Sequence, residues 1–124
     1  MQTVLIVDDD TTTTDVYARM LSLDGYRVLK AYSAAEALIE TALERPDVVI
    51  LDLRMPVMDG LGLLERWRAD EHLHDMTVVI VTADYFIADD IKDRLQALGA
   101  DVRYKPLWAE DLVGILTSHS EKHQ

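Results

Sequence analysis

Two stretches of the chain indicate its fold: residues 4–10 read VLIVDDD, and residues 48–52 read VVILD. Each is an unbroken run of Val, Leu and Ile that ends in aspartate. Short apolar runs without polar alternation are typical of strands that are covered on both faces of a sheet. Together with three similar runs, they predict five strands, at residues 4–7, 27–31, 48–51, 78–81 and 102–104.

Segments with helical spacing separate and follow these runs. Ser33 and Glu36 form a capping-box pattern at the start of the second segment. Asp24-Gly25 indicates a turn after the first, and Gly99 is the predicted C-cap of the fourth. The predicted apolar faces, in chain order, are Val16, Met20 and Leu23; Leu38, Ile39 and Ala42; Leu61, Leu64 and Trp67; Ile87, Ile91, Leu95 and Leu98; and Leu112, Ile115 and Leu116. The domain is predicted to span residues 1–118, with 119–124 a polar C-terminal tail or the start of a linker.

The alternation of strand and helix predicts a doubly wound α/β fold, in which five parallel strands carry helices on both faces. In such folds, binding sites form beyond the carboxyl ends of the strands. The residues that follow each predicted strand are therefore the first candidates for function.

Length and charge restrict the classes of function. A chain of 124 residues has room for one domain, and the absence of cysteine excludes disulfides and thiolate metal sites. Its 12 basic and 23 acidic residues give a net charge of −11, which argues against direct nucleic-acid binding. Its apolar runs are too short for a signal peptide or a membrane span, so we expect a cytoplasmic-type domain.

Four of the predicted strands end in residues that suit phosphoryl chemistry. Asp8-Asp9-Asp10 follows the first strand and Asp52 the third; Thr82 follows the fourth and Lys105 the fifth. Clustered carboxylates repel one another unless a cation lies between them, and hard oxygen ligands favour Mg²⁺. With a lysine and a hydroxyl nearby, Asp52 is the predicted nucleophile of a phosphoryl transfer.

The same residues carry a resemblance to a known family. The segment 52–60, which reads DLRMPVMDG, together with Asp8-Asp9, Thr82-Ala83 and Lys105-Pro106, resembles the receiver domain of two-component response regulators. The resemblance covers essentially the whole chain. It implies the strand order 2-1-3-4-5 and phosphotransfer from a phosphohistidine, carried by a sensor histidine kinase or a histidine phosphotransfer protein, to Asp52.

The resemblance also implies a role for each site residue. Asp9, Asp52 and the backbone carbonyl of Arg54 would bind Mg²⁺ directly, and Asp8 would act mainly through a metal-bound water. The Thr82 hydroxyl, the Ala83 amide and the Lys105 ammonium would contact the phosphoryl group, and the Lys105–Pro106 peptide is expected to be cis. The output would be a downstream protein target or an appended output domain, and a homodimer is possible.

One position departs from the family pattern. Many receivers carry Tyr or Phe three residues before the lysine, where this chain has Val102. The conformational change on phosphorylation would then depend on Thr82 and the loop after it. Alternatively, Tyr104 or the pair Tyr85-Phe86 would replace the missing ring. Tyr85 and Phe86 could equally be packing residues.

The charges of Arg54 and Asp84 suggest a further hypothesis. Arg54 lies two positions after Asp52, and Asp84 lies two positions after Thr82. An ion pair between them would cross the mouth of the site and could hinder the water that hydrolyses the phosphoryl group. Exposed ion pairs are weak, and the effect could also be nil.

A second class of function remains open from the sequence. Asp8 and Asp10 also fit the nucleophile and acid/base positions of haloacid-dehalogenase-like phosphatases. That interpretation leaves the segment 52–60 unexplained, and those enzymes usually have longer chains. The sequence does not decide whether the domain acts alone or belongs to a longer protein.

Overall fold

Five strands and five helices alternate along residues 2–122, the part of the chain that the computed structural model describes. The elements are β1 (Thr3–Val7), α1 (Thr11–Leu23), β2 (Arg27–Ala31), α2 (Ala34–Leu43), β3 (Val48–Asp52), α3 (Gly60–Arg68), β4 (Thr77–Thr82), α4 (Asp89–Ala97), β5 (Asp101–Tyr104) and α5 (Ala109–Lys122). The strands form one parallel sheet in the order β2-β1-β3-β4-β5. The predicted fold class and strand order are confirmed.

The three central strands of the sheet are buried on both faces, as their unbroken apolar runs predict, whereas the edge strands β2 and β5 are partly exposed. One face packs against α2, α3 and α4, where Leu64, Trp67 and Leu95 are fully covered. The opposite face packs against α1 and α5, through Leu21 and Leu112 among others. Because successive side chains of a strand point to opposite faces, both layers of the core come from the same short runs.

Side-chain caps start two of the helices next to the carboxyl edge of the sheet. Asp10 accepts a hydrogen bond from the Thr13 amide at 3.1 Å and begins α1, three residues after β1 ends. Asp59 accepts from the Gly62 amide at 2.9 Å and begins α3. The Ser33 half of the predicted capping box is also present, since the Ser33 hydroxyl accepts from the Glu36 amide at 3.1 Å, while the Glu36 carboxylate accepts from the Tyr32 amide at 3.4 Å.

The predicted apolar face of α1 was wrong at two of its three residues, and Met20 alone of the three packs, partly buried, against the core. Val16 and Leu23 are 44% and 79% exposed, and the helix instead buries Thr14, Tyr17, Ala18 and Leu21. The Asp10 cap sets where the helix begins, and this start turns Tyr17 and Leu21 toward the sheet. The buried Thr14 keeps its hydroxyl paired with backbone carbonyls, so a polar residue occupies a position that hydropathy assigns to the surface.

The predicted face of α2 was also displaced. Ile39 is 60% exposed, Ala42 is exposed and Leu38 is half-buried. The residues in contact with the core are the smaller Ala34, Ala37 and Thr41. Small side chains allow this helix to lie close to the sheet, and a face of this kind has too little hydropathy contrast to be identified from the sequence.

The C-terminal helix extends into the segment that was expected to be a tail. α5 has 14 residues and continues to Lys122, and His119 is buried with its Nε2 3.2 Å from the Asp101 carboxylate. His123 and Gln124 lie outside the described residues.

The helices of residues 2–122 are too short or too polar to cross a bilayer, and this includes α5, the longest of them.

Candidate functional site

Three carboxylates meet at the carboxyl edge of the sheet. β1 and β3 are neighbours with Val7 opposite Leu51, so the aspartates at their ends lie side by side. Oxygen atoms of Asp8, Asp9 and Asp52 all lie within 4.8 Å of one another. Asp8 and Asp52 are 4% and 8% exposed, whereas Asp9 faces solvent. The predicted cluster therefore has a buried floor and one open side.

Lys105 supplies a positive charge to this cluster. Its ammonium group lies 2.8 Å from Oδ2 of Asp8 and 3.7 Å from Oδ1 of Asp52. Burial opposes the charge of this ammonium, but the hydrogen bond to Asp8 and the nearby Asp52 carboxylate raise the pKa of Lys105 above its usual value. The lysine therefore stays charged, with its direct hydrogen bond to Asp8 rather than to Asp52.

Asp52 is the carboxyl group whose ionisation the site alters most clearly. Burial, together with repulsion from Asp8, raises the pKa of Asp52 from its usual value of 3.8 to about 6. The Lys105 charge and the Arg54 backbone amide act in the opposite direction without cancelling the rise. At neutral pH Asp52 is therefore mainly ionised but electrostatically disfavoured, which suits a group that is stabilised by binding a cation.

The donor set fits Mg²⁺. The cluster consists of carboxylates alone, and hard oxygen donors are the ligands that this ion prefers. Part of the negative charge is uncompensated, because one lysine faces three aspartates. The exposed Asp9 lies on the side from which an ion and its waters can enter.

The first residue of α3, Gly60, packs directly on the Asp52 backbone. A Cβ added to Gly60 would lie 2.4 Å from the Asp52 carbonyl oxygen and 2.9 Å from Cα of Leu53. Only glycine permits this approach, which explains the Asp59-Gly60 pair in the segment 52–60. In the loop that precedes α3, Val57 adopts a φ of 71°, an unusual backbone conformation for a β-branched residue.

Thr82 lies on the strand next to Asp52, at the same edge. Asp52 is opposite Val81, so Thr82 is one residue further along β4. The Thr82 side chain is buried, and its hydroxyl oxygen accepts a hydrogen bond from the Asp84 amide at 3.0 Å. Ala83, between them, is exposed.

The ion pair expected between Arg54 and Asp84 is present. Oδ2 of Asp84 accepts from Nη2 of Arg54 at 2.5 Å and from Nε at 3.1 Å. The Arg54 guanidinium lowers the pKa of the Asp84 carboxyl. Oδ1 of Asp84 accepts from the Phe86 amide at 2.9 Å, so the pair joins the loop after β3 to the loop after β4.

An aromatic contact lies beside the site, although Val102 is not aromatic. The rings of Tyr85 and Tyr104 are stacked with their centroids 5.5 Å apart, and the Tyr85 hydroxyl donates to the Lys105 carbonyl. Val102 is half-buried against the core, and Phe86 is 93% exposed. The structure thus joins Tyr85 and Tyr104, the two tyrosines named as substitutes for the missing ring, while Phe86 does not serve as a packing residue. The Lys105–Pro106 peptide is cis, as expected.

The sequence did not single out Thr14 as part of the site. Its hydroxyl lies 3.0 Å from the carbonyl oxygens of both Asp8 and Asp10. The one available signal was a threonine on the inner face of a helix, and the four consecutive threonines at residues 11–14 concealed it. Asp10 is exposed and caps α1, and it is not part of the three-carboxylate cluster.

Comparison with protein families gives a match over nearly the whole chain. Residues 4–117 match the model of the response regulator receiver domain. Among curated proteins, the response regulators MprA of Mycobacterium tuberculosis and Mycobacterium avium are each 34% identical over 113 residues, or 89% of this chain. The alignments cover 46% and 47% of those proteins, so the chain spans about half the length of the curated relatives it matches.

Solved structures show the same architecture. The chemotaxis protein CheY4 of Vibrio cholerae superposes with a TM-score of 0.86 at 29% identity, covering 95% of this chain and 98% of its own. A CheY-like receiver domain protein from Methanospirillum hungatei gives 0.87 at 29% identity, with coverages of 99% and 97%. A structure named as a putative response regulator from Chloroflexus aurantiacus gives 0.84 at 32% identity, with coverages of 95% and 96%.

Proposed function

The chain belongs to the response regulator receiver domain family of two-component signalling, and on that basis we propose that it accepts a phosphoryl group on Asp52. The donor is a phosphohistidine of a sensor histidine kinase or a histidine phosphotransfer protein. The observation that carries the proposal is the position of Asp52, buried beside Asp8 and Asp9 and 3.7 Å from the Lys105 ammonium. These groups surround one carboxylate with the charges that a transferring phosphoryl group requires.

In the proposed step, a carboxylate oxygen of Asp52 attacks phosphorus and the bond from phosphorus to the donor histidine nitrogen breaks. The imidazole nitrogen takes the electron pair, and the product is an aspartyl phosphate. Asp52 needs no general base, because a pKa of about 6 leaves it mainly ionised at neutral pH. Lys105, the Thr82 hydroxyl and the Ala83 amide contact the phosphoryl oxygens.

Asp9, Asp52 and the Arg54 carbonyl would hold the Mg²⁺, with Asp8 acting mainly through a water. When bound, the ion neutralises charge on the carboxylates and on the phosphoryl oxygens. Asp8 suits an indirect role because both of its carboxylate oxygens already accept hydrogen bonds, one from Lys105 at 2.8 Å and one from the Asp10 amide at 3.0 Å.

The alternative phosphatase mechanism has less support from the geometry. It requires Asp8 as nucleophile, yet Asp8 is 4% exposed and both of its oxygens are engaged. It also requires Asp10 as acid/base, and the Asp10 carboxylate caps α1. These contacts favour Asp52 as the acceptor.

We propose that phosphorylation is read out through the segment from Thr82 to Phe86. For the Thr82 side chain to turn toward a phosphoryl oxygen on Asp52, its hydrogen bond from the Asp84 amide must break. Asp84 also holds Arg54 and the Phe86 amide, so that change reaches exposed residues. The surface that changes would bind a downstream protein or an output domain.

Intact-mass spectrometry tests the proposal. The chain is incubated with acetyl phosphate as donor, with Mg²⁺ and with EDTA, beside Asp52→Asn as the matched variant. We expect one added phosphoryl group on the wild-type chain, dependence on Mg²⁺ and no addition to Asp52→Asn. An unmodified wild-type chain, or equal modification of Asp52→Asn, would overturn it.

A further inference from the structure

The contacts of Thr14 are unusual for a threonine inside a helix. A threonine hydroxyl often donates to the carbonyl four residues earlier, and here that carbonyl belongs to Asp10, 3.0 Å away. The same hydroxyl lies 3.0 Å from the carbonyl of Asp8, six residues earlier and outside the helix. This second contact joins α1 to the end of β1, which a helix-internal hydrogen bond does not do.

The Thr14 hydroxyl has a single proton, and the two carbonyl oxygens that share it lie on either side of Asp9. One belongs to the peptide between Asp8 and Asp9, and the other belongs to Asp10. The Asp8 amide donates to the Ala31 carbonyl at 3.2 Å, and the Asp10 amide donates to the Asp8 carboxylate at 3.0 Å. Together with the contacts of the Thr14 hydroxyl, these two hydrogen bonds fix the backbone before and after Asp9. The Asp9 side chain itself is exposed.

Asp9 requires such support from its surroundings. Asp8 and Asp52 are held by burial and by Lys105, whereas Asp9 is the exposed member of the cluster. An exposed aspartate on a free loop would lose conformational entropy each time it bound an ion. A backbone that is already fixed reduces this cost, because the ligand begins close to its bound orientation.

We propose that Thr14 is a positioning residue that fixes the Asp8–Asp10 backbone and thereby orients Asp9 toward Mg²⁺. This inference rests on the proposed function, since it assigns Asp9 to the metal site of the phosphoacceptor. It predicts that the affinity for Mg²⁺ depends on the hydroxyl group at position 14 rather than on the size of the side chain. Thr14 is fully buried, so its effect cannot come from direct contact with an ion in solvent.

The test compares Thr14→Val, which keeps the shape and removes the hydroxyl, with Thr14→Ser, which keeps the hydroxyl. Thr41→Val is the control, because Thr41 is also a buried helical threonine that donates to a carbonyl four residues earlier, two turns into α2. Its hydroxyl also accepts from the buried Trp67 indole N–H at 3.2 Å, so this control removes a buried hydroxyl and lowers stability away from the carboxylate cluster. Amide hydrogen exchange over residues 8–10 is measured without metal, and the Kd for Mg²⁺ is measured by calorimetry. Labelling of Asp52 by acetyl phosphate is then followed across Mg²⁺ concentrations.

We expect Thr14→Val to exchange faster at residues 8–10 and to bind Mg²⁺ about three- to tenfold more weakly, the effect of losing one hydrogen bond. Its labelling rate should return to within about twofold of wild type at saturating Mg²⁺. Thr14→Ser and Thr41→Val should keep the wild-type Mg²⁺ affinity. If Thr14→Val does not fold, Thr14→Ala against Thr14→Ser makes the same comparison.

The inference is overturned if Thr14→Val binds Mg²⁺ as wild type does, or if Thr14→Ser is weakened equally. In either case the wild-type chain can still bind Mg²⁺ and be labelled on Asp52, which leaves the proposed function intact. A wild-type chain that neither binds Mg²⁺ nor is labelled would contradict both proposals.

Discussion

The ammonium group of Lys105 donates a hydrogen bond to Asp8 at 2.8 Å, although 97 positions separate the two residues in the chain. β3 and β4 lie between β1 and β5 in the sheet, so the lysine side chain extends across the ends of two strands to reach its partner. Asp52 ends β3 and lies on this route, 3.7 Å from the ammonium. When Asp52 carries no phosphoryl group, Lys105 therefore compensates the negative charge of the cluster. When Asp52 carries one, the ammonium is already close enough to contact the phosphoryl oxygens.

Lys105→Met should destabilise the metal-free protein by about 1–3 kcal/mol, because the cluster loses its cation while the side-chain volume is kept. Lys105 is partly exposed, so we expect less than the full cost of breaking a buried pair. Mg²⁺ should stabilise this variant more than it stabilises wild type. Thermal unfolding with and without Mg²⁺ measures both effects, and Lys92→Met, at an exposed lysine of α4, is the control. Equal stabilisation of both chains by Mg²⁺ would contradict this prediction.

Asp52→Asn should stabilise the metal-free chain at neutral pH. The native state binds a proton at Asp52 more tightly than the unfolded state does, because its pKa rises from 3.8 to about 6. Stability is therefore lost as the pH rises through this interval, and the loss is complete above it. The shift in the pKa of Asp52 corresponds to a loss of at most about 3 kcal/mol from the free energy of unfolding.

Urea denaturation of wild type and Asp52→Asn from pH 4 to 8, without divalent cations, measures this difference. The gap between the two chains should widen up to about pH 7 and then stay constant. Asp93→Asn, at an exposed aspartate of α4, serves as the control. A gap that does not change with pH would show that the site does not alter the ionisation of Asp52.

Breaking the pair between Arg54 and Asp84 should speed the loss of the phosphoryl group from Asp52. An exposed pair contributes up to about 1 kcal/mol, which limits the increase to about fivefold. Arg54→Ala, Asp84→Ala and the double variant form a cycle in which the double change should add little to either single change. Decay of the phosphorylated form by intact mass supplies the rates. Unchanged rates in both single variants would remove the idea that the pair hinders the attacking water.

Gly60→Ala should both destabilise the chain and disturb the site. The new Cβ would lie 2.4 Å from the Asp52 carbonyl oxygen, so the loop must move, at a cost of about 1–3 kcal/mol. Gly114→Ala is the matched control, because a Cβ there has no atom within 4 Å and lies inside a helix. That control should gain about 0.5–1 kcal/mol. Chemical denaturation measures both, and a Gly60→Ala chain as stable as wild type would contradict the close approach.

Much of the fold could be predicted because its three central strands are buried on both faces. Unbroken apolar runs indicated these strands, shorter runs around Val28 and Val102 indicated the two edge strands, and the polar residues at the strand ends gave Asp8, Asp52 and Lys105 as neighbours. The helix faces were less predictable, because α1 buries Thr14 and α2 buries alanines, and neither shows strong hydropathy contrast. The hydrogen bond that Thr14 shares between two carbonyls depends on the exact start of α1, which a pattern of residue types does not fix.

The most direct test of the account is the location of the label after reaction with acetyl phosphate and Mg²⁺. Borohydride reduces an aspartyl phosphate to homoserine, so tandem mass spectrometry of the digested chain identifies the aspartate that carried it. Phosphorylation of Asp52 predicts homoserine at position 52 and unreduced aspartate at positions 8 and 10. Homoserine at position 8, with position 52 unchanged, would contradict it.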